Sequence, residues 1–207
     1  MTMSISRTRS TTVAFAAAAA LFAAGCSDDS SESTHTGEHV TTATSTSATA
    51  AARTDFNDAD VTFLQMMYPH HAQAVEMAQL VPSRTDNAQL IELAAQVEQA
   101  QAPEMAQITE LLTSFGKPAP TASEGHEGHA MPGMMTDEQM SALESATGAD
   151  FDRQWLEMMI DHHEGAVDMA ETELAEGTNP ESRQLATTII ADQEAEITTM
   201  RGMLDQG

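Results

Sequence analysis

Two histidine doublets, His70-His71 and His162-His163, sit among methionines at helical distances. Met66, Met67 and Met77 flank the first, and Met158, Met159 and Met169 flank the second. Imidazole nitrogen suits copper, zinc, iron and nickel, whereas thioether sulfur selects soft Cu(I). Thioethers carry no proton at ordinary pH, so they ligate outside the cell without a reduced thiol. A second His/Met cluster follows in His126, His129, Met131, Met134 and Met135. The chain has 1 Cys, Cys26. That excludes an internal disulfide framework and a multi-cysteine zinc site. Imidazole and thioether without thiolate favour a copper ion over zinc, provided the chain is exported.

The doublets belong to an internal duplication with a constant offset of 92 residues, the separation of His70 and His162. Residues 63–78 and 155–170 share nine of sixteen positions, and the offset continues without a gap to pair Asn87 with Asn179, Gln101 with Gln193 and Glu104 with Glu196. This period exceeds the 20–50 residues of solenoid repeats. It suits a duplicated helical hairpin, two of which make four helices. The spacing of Phe63, Met66, Met67, His70, Ala74 and Met77 matches one face of a helix, as does that of Trp155, Met158, Met159, His162, Ala166 and Met169. At about 100° per residue, Met66, His70 and Met77 share an inward stripe with Met67 and His71 on its flank. Glu104 and Glu196 fall on the apolar stripes of the partner helices, beside Val97 and Ile108, and Ile189 and Met200. A carboxylate placed there must be paired, protonated or bound to a cation.

Local signals mark the ends of these elements. Asn179-Pro180 reads as a helix start, and Thr136 with Gln139 reads as a capping box opening a short extra helix. Pro69 and Pro103 fall inside expected helices and predict local kinks. Their repeat partners are Asp161 and Ala195, so the second hairpin is expected to be straighter. The Gly, Pro, His and Met of residues 116–135 read as a loop.

The amino terminus reads as an address. Arg7 and Arg9 precede an apolar run from Val13 to Ala24, too short to span a bilayer, and Ala23-Ala24-Gly25-Cys26 follows. The small residues before the cysteine resemble a bacterial lipobox, with Ala23 where leucine is usual. The expected organisation is a signal peptide over 1–25, a lipidated Cys26 heading a disordered tether over 26–53, and a bundle domain over 54–207. Within the bundle, hairpin 1 covers 54–115, the His/Met-rich loop 116–135 and hairpin 2 136–207. His35 and His39 lie in the tether. The expected location is extracytoplasmic, anchored to the membrane by lipid. Charge restricts the partners: 8 Lys and Arg against 32 Asp and Glu leave −24 over 207 residues. Nucleic acid is excluded on that balance, because phosphate binding needs a basic face.

The segments from Met66 to Ala78 and Trp155 to Ala170, with the ending Gln193 to Met200, resemble the bacterial family catalogued as domain of unknown function 305. The resemblance spans roughly residues 54–206. It implies an all-α, ferritin-like four-helix bundle and an exported location, and some members are linked to copper binding and copper tolerance. On this chain the motif positions are His70, His71, His162 and His163 with Met66, Met67, Met77, Met158, Met159 and Met169. The leading reading is copper sequestration without turnover, with Glu104 and Glu196 as direct or supporting oxygen ligands. Two alternatives stand beside it. One is a ferritin-like di-metal oxidase, for which two inward glutamates are few. The other is a metal-free structural lipoprotein in which His70 or His162 bonds to Glu104 or Glu196 and the methionines fill core.

Overall fold

The computed structural model describes residues 53–122 and 131–206. The expected signal segment, Cys26, the expected tether through residue 52, and His126 and His129 lie outside the described residues. The described residues are helical and contain no strand. Helix α1 covers Asp58–Leu80, α2 Ala88–Ser114, α3 Asp137–Ser145, α4 Gly148–Glu176 and α5 Pro180–Leu204. A single 3-10 turn, Val81–Ser83, joins α1 to α2. None of these helices is long and apolar enough to cross a membrane.

Side-chain caps set the helix starts. Asn57 and Asp60 form a capping box at α1, and Thr136 and Gln139 form the expected one at α3. Asn87 and Asn179, equivalent in the repeat, each accept two backbone N–H bonds at the starts of α2 and α5. Helices α1 and α2 run unbroken through Pro69 and Pro103.

Helix α1 packs on α2 and α4 on α5, and the contact of α1 with α4 joins the hairpins into a four-helix bundle. The joint obeys an internal two-fold. Asn179 N donates to Asp60 at 2.8 Å, and at the equivalent place Asn87 Nδ2 donates to Asp152 at 2.9 Å. The buried Trp155 indole donates to the Met77 carbonyl at 2.9 Å, locking α4 to α1.

The apolar core is split in two. One half gathers Met77, Leu90, Phe151, Trp155, Met159 and Met200, and the other Leu64, Met67, Ile108, Leu112, Met169 and Ile189. The first half of α1 shares a cluster with the second half of α4, so the two helices are antiparallel. Between the clusters, at mid-bundle, lie the buried polar residues His70, His71, Gln73, Gln101, Glu104, His162, His163 and Gln193.

Candidate functional site

All four doublet histidines are fully buried. A helix in a bundle packs on two neighbours, so its buried arc spans both residues of an adjacent pair. For the same reason the buried arc is centred between His70 and His71 rather than on His70. The methionines correct the sequence reading accordingly. Met67 and Met159, expected on the flank, have no exposure, while Met66 and Met158, expected on the stripe, are only half-buried. Met77 and Met169 are buried as expected. Met67 and Met169 lie in the core cluster on one side of the polar layer, and Met77 and Met159 in the cluster on the other.

His70 and His162 face one another across the two-fold, with ring centres 3.8 Å apart and planes inclined by 38°. Their neighbours turn to the partner helices. His71 Nε2–H donates to Glu104 Oε2 at 2.7 Å, and His163 Nε2–H donates to Glu196 Oε2 at 2.6 Å. The glutamates therefore meet the second histidine of each doublet, not the first. The carboxylates of Glu104 and Glu196 both act on Asp192, which burial and then these two charges push above the usual aspartate range. The four histidines with Glu104 and Glu196 thus form one imidazole pair, His70–His162, and two imidazole–carboxylate dyads, His71–Glu104 and His163–Glu196. Among the described residues no group of three or more His, Asp or Glu stands at metal-holding spacing.

The ring nitrogens are unevenly satisfied. His70 Nε2–H donates to the Pro132 carbonyl at 3.1 Å. Nδ1 of all four rings, and Nε2 of His162, have no hydrogen-bond partner. Burial pushes the His70 imidazolium down to about 3, with repulsion from His71 adding to it and the Pro132 carbonyl opposing it. Burial and then His70 hold His162 well below the ordinary range. Both rings are neutral at pH 7, the form in which imidazole binds metal.

A strap covers the layer. Met131 and Met135 are buried, Met134 half-buried, and Gly133 turns the chain at φ 74°. The strap lies so close to α4 that a Cβ at Gly165 would meet the Pro132 carbonyl oxygen at 2.2 Å. Gln73 holds its far end, donating to Met135 O at 2.9 Å and accepting from Met135 N at 2.7 Å. Gln73 and Gly165 are repeat-equivalent positions that differ, and the strap crosses the two-fold between them. Sequence reasoning did not single out either residue, although their divergence inside a matching stretch was visible.

A buried carboxyl pair, also missed, lies at the end of α1. Asp60 accepts from Asn57 N at 2.7 Å, Asn179 N at 2.8 Å and Thr178 N at 3.1 Å. Its neighbour Glu173 is 1% exposed and no protein N–H reaches either oxygen. Burial, and then the adjoining Asp60 carboxyl, raise Glu173 to about 8.

A duplicated helical bundle with buried imidazole doublets at its waist defines the class of protein. The chain belongs to the family described as domain of unknown function (DUF305), whose sequence model matches residues 60–204. A solved DUF305 protein of Streptomyces coelicolor, taken to be secreted, is 32% identical over 72% of this chain and 93% of its own, with a TM-score of 0.65. A DUF305 fragment from Deinococcus radiodurans is 32% identical over 73% of this chain and 98% of its own, also at 0.65. CopM in its Cu(II)-bound form is 33% identical over 71% of this chain and 96% of its own, with a TM-score of 0.62. CopM has also been solved in Cu(I)-bound and Ag-bound forms. Comparison with curated proteins gave no match.

Proposed function

We propose that this chain is an extracytoplasmic copper-binding protein that sequesters or buffers the ion without turning over a substrate. The observation that carries the reading is the set of four buried imidazoles whose Nδ1 atoms have no partner. In His71 and His163 a carboxylate holds Nε2–H, which orients the ring and raises the basicity of the free Nδ1. The adjacent methionines add thioether for Cu(I). Similarity to CopM, solved with Cu(I), Cu(II) and silver, supports the choice of metal. A di-metal oxidase is less well supported, since Glu104 and Glu196 are each already engaged by a histidine.

Calorimetric titration of the folded domain with Cu(I) and Cu(II) tests the proposal. Tight binding that falls on His71→Ala and His163→Ala substitution is the expected result. A melting temperature unchanged by either ion would instead favour the metal-free polar core, because a ligand that binds the native state raises its stability. The signal peptide over 1–25, the lipid at Cys26 and the tether over 26–53 complete the proposal. Cys26→Ser is expected to move the protein from the membrane fraction to the soluble fraction. The acidic surface would concentrate cations around the domain.

A further inference from the structure

The internal two-fold gives the bundle two equivalent grooves between α1 and α4, whereas one connection joins the hairpins and covers one of them. The covered groove lies between the last turns of α1 and the first turns of α4. Helix α3 fills it: Met140 and Leu143, one turn apart, are buried in one cluster with Met77, Phe151 and Trp155. Both ends of α3 are fastened there. Met135, just before it, exchanges two bonds with Gln73 of α1. Gly148, just after it, donates to the Arg84 carbonyl beyond the end of α1 at 2.8 Å.

The second groove, between the first turns of α1 and the last turns of α4, is a cleft of about 420 Å³. Phe63 and Met169 line it, and their repeat equivalents are Trp155 and Met77, in the cluster under α3. Thr62 and Thr172 stand exposed at its sides, where their equivalents Gln154 and Leu80 are half-buried. Beyond α1 and α4, only Pro132 lines it among the described residues. The charge at its edge is reversed. Half-buried Arg84 closes the covered groove, and its equivalent at the open one is exposed Glu176. Asp58 and Asp168 are exposed there too, and no Lys or Arg lines the cleft. Helix α3 carries Asp137, Glu138 and Glu144, so the occupant of the open groove needs the opposite sign. A second copy of this chain, at −24, is disfavoured by the same rule.

We propose that the open groove is a docking site for a short amphipathic helix of a partner protein, seated as α3 is seated in the equivalent groove. Its buried face carries two apolar residues one turn apart, and its edges carry Lys or Arg opposite Asp58, Asp168 and Glu176. This is recognition of a helix in a groove, with anchors at helical spacing. The molecule itself supplies the template, because the same surface, copied by the duplication, already holds such a helix. The docking goes beyond the copper reading and needs no metal. A helix seated there lies against Pro132, whose carbonyl accepts from His70 Nε2–H at 3.1 Å, and so beside the cover of the imidazole layer.

The probes are two synthetic peptides of about 15 residues, long enough to hold a helix. Each carries Met and Leu three residues apart, as in α3; one has Lys at its edge positions and its twin has Glu. Binding to the metal-free full chain is read by fluorescence anisotropy, and the seat by amide chemical shifts. The lysine peptide is expected to bind at least ~10-fold more tightly than its twin, shifting amides from Asp58 to Met66 and from Asp168 to Glu176. Thr62→Trp/Thr172→Trp fills the cleft from two exposed positions, leaves the core alone and is expected to abolish binding; circular dichroism checks its fold. Asp58→Asn/Asp168→Asn/Glu176→Gln is expected to weaken binding at least ~10-fold. Glu76→Gln/Asp150→Asn/Glu157→Gln, which removes the same charge from exposed positions elsewhere, is expected to weaken it less than ~3-fold. Equal weakening by the two triple variants, or shifts spread over the acidic surface, would reduce the effect to general charge attraction and overturn the docking site. Absence of saturable binding by the lysine peptide would overturn it as well. A chain that dimerises in sedimentation until Thr62→Trp/Thr172→Trp is introduced would put a second copy in the groove instead of a partner helix. All of these are measured without metal, so the copper reading stands or falls separately.

Discussion

His70 and His162, 92 positions apart and equivalent in the repeat, meet face to face with ring centres 3.8 Å apart. The duplication makes this contact possible: a residue close to an internal two-fold meets its own copy. Two imidazoles at that distance cannot both be charged in a dry interior, and metal binding needs them neutral. The same geometry therefore prepares the site and makes the metal-free protein sensitive to acid.

The acid sensitivity has a defined sign. His70 titrates at about 3 in the folded chain and at the ordinary 6.5 when unfolded, so below 6.5 the unfolded state holds more protons. Stability is expected to be full above pH 6.5 and to fall as the pH drops from 6.5 towards 3, by about 1.4 kcal/mol per pH unit for one such group. Chemical denaturation of metal-free protein between pH 7 and pH 4 measures it. His70→Phe/His162→Phe should flatten the slope.

Glu173 has the opposite dependence. Its folded carboxyl is raised to about 8 from 4.5, so between those values the folded state holds the extra proton. Stability contributed by this group is present below pH 4.5 and is lost as the pH rises through 8. Glu173→Gln, which keeps shape and removes the titration, is expected to be more stable than wild type at pH 8.5, with the difference closing by pH 5. Paired melting curves at the two pH values decide it.

The strap depends on the bare backbone of Gly165. Adding a methyl group there places carbon 2.2 Å from the Pro132 carbonyl oxygen, which is backbone and cannot simply rotate away. Gly165→Ala is expected to destabilise the domain by about 1–3 kcal/mol, the range for overpacking. It should also expose the Met131–Met135 segment to protease. Gln73→Ala, which deletes the two bonds to Met135, should expose the same segment with little strain elsewhere.

The His71–Glu104 and His163–Glu196 dyads separate support from ligation. Glu104→Gln and Glu196→Gln retain an acceptor but lose the negative charge that raises imidazole basicity. Copper affinity is expected to fall about 10–100-fold for each, as for other groups that orient a ligating histidine. Glu104→Ala leaves the buried His71 N–H without a partner and should cost about 1–3 kcal/mol of stability besides. Calorimetry and thermal melts on the same samples distinguish the two effects.

Much of this architecture was legible in the residues. The 92-residue repeat, the 3.6-residue periodicity around the histidine doublets and the asparagine and threonine caps define four long helices and one short one. They do so because hydrophobic spacing and capping are local, readable within one or two turns. His71 and His163, expected on the stripe's flank, are buried too, whereas the inward place of His70, Glu104 and their copies followed from the same periodicity. Partner choice did not. His71 rather than His70 reaches Glu104, and Met67 rather than Met66 enters the core, because the rotation of each helix is set by packing against two neighbours at once. The strap over His70, the Gln73 clamp and the Asp60–Glu173 pair join residues 62 to 113 positions apart, and only the crossing of the two hairpins brings them together.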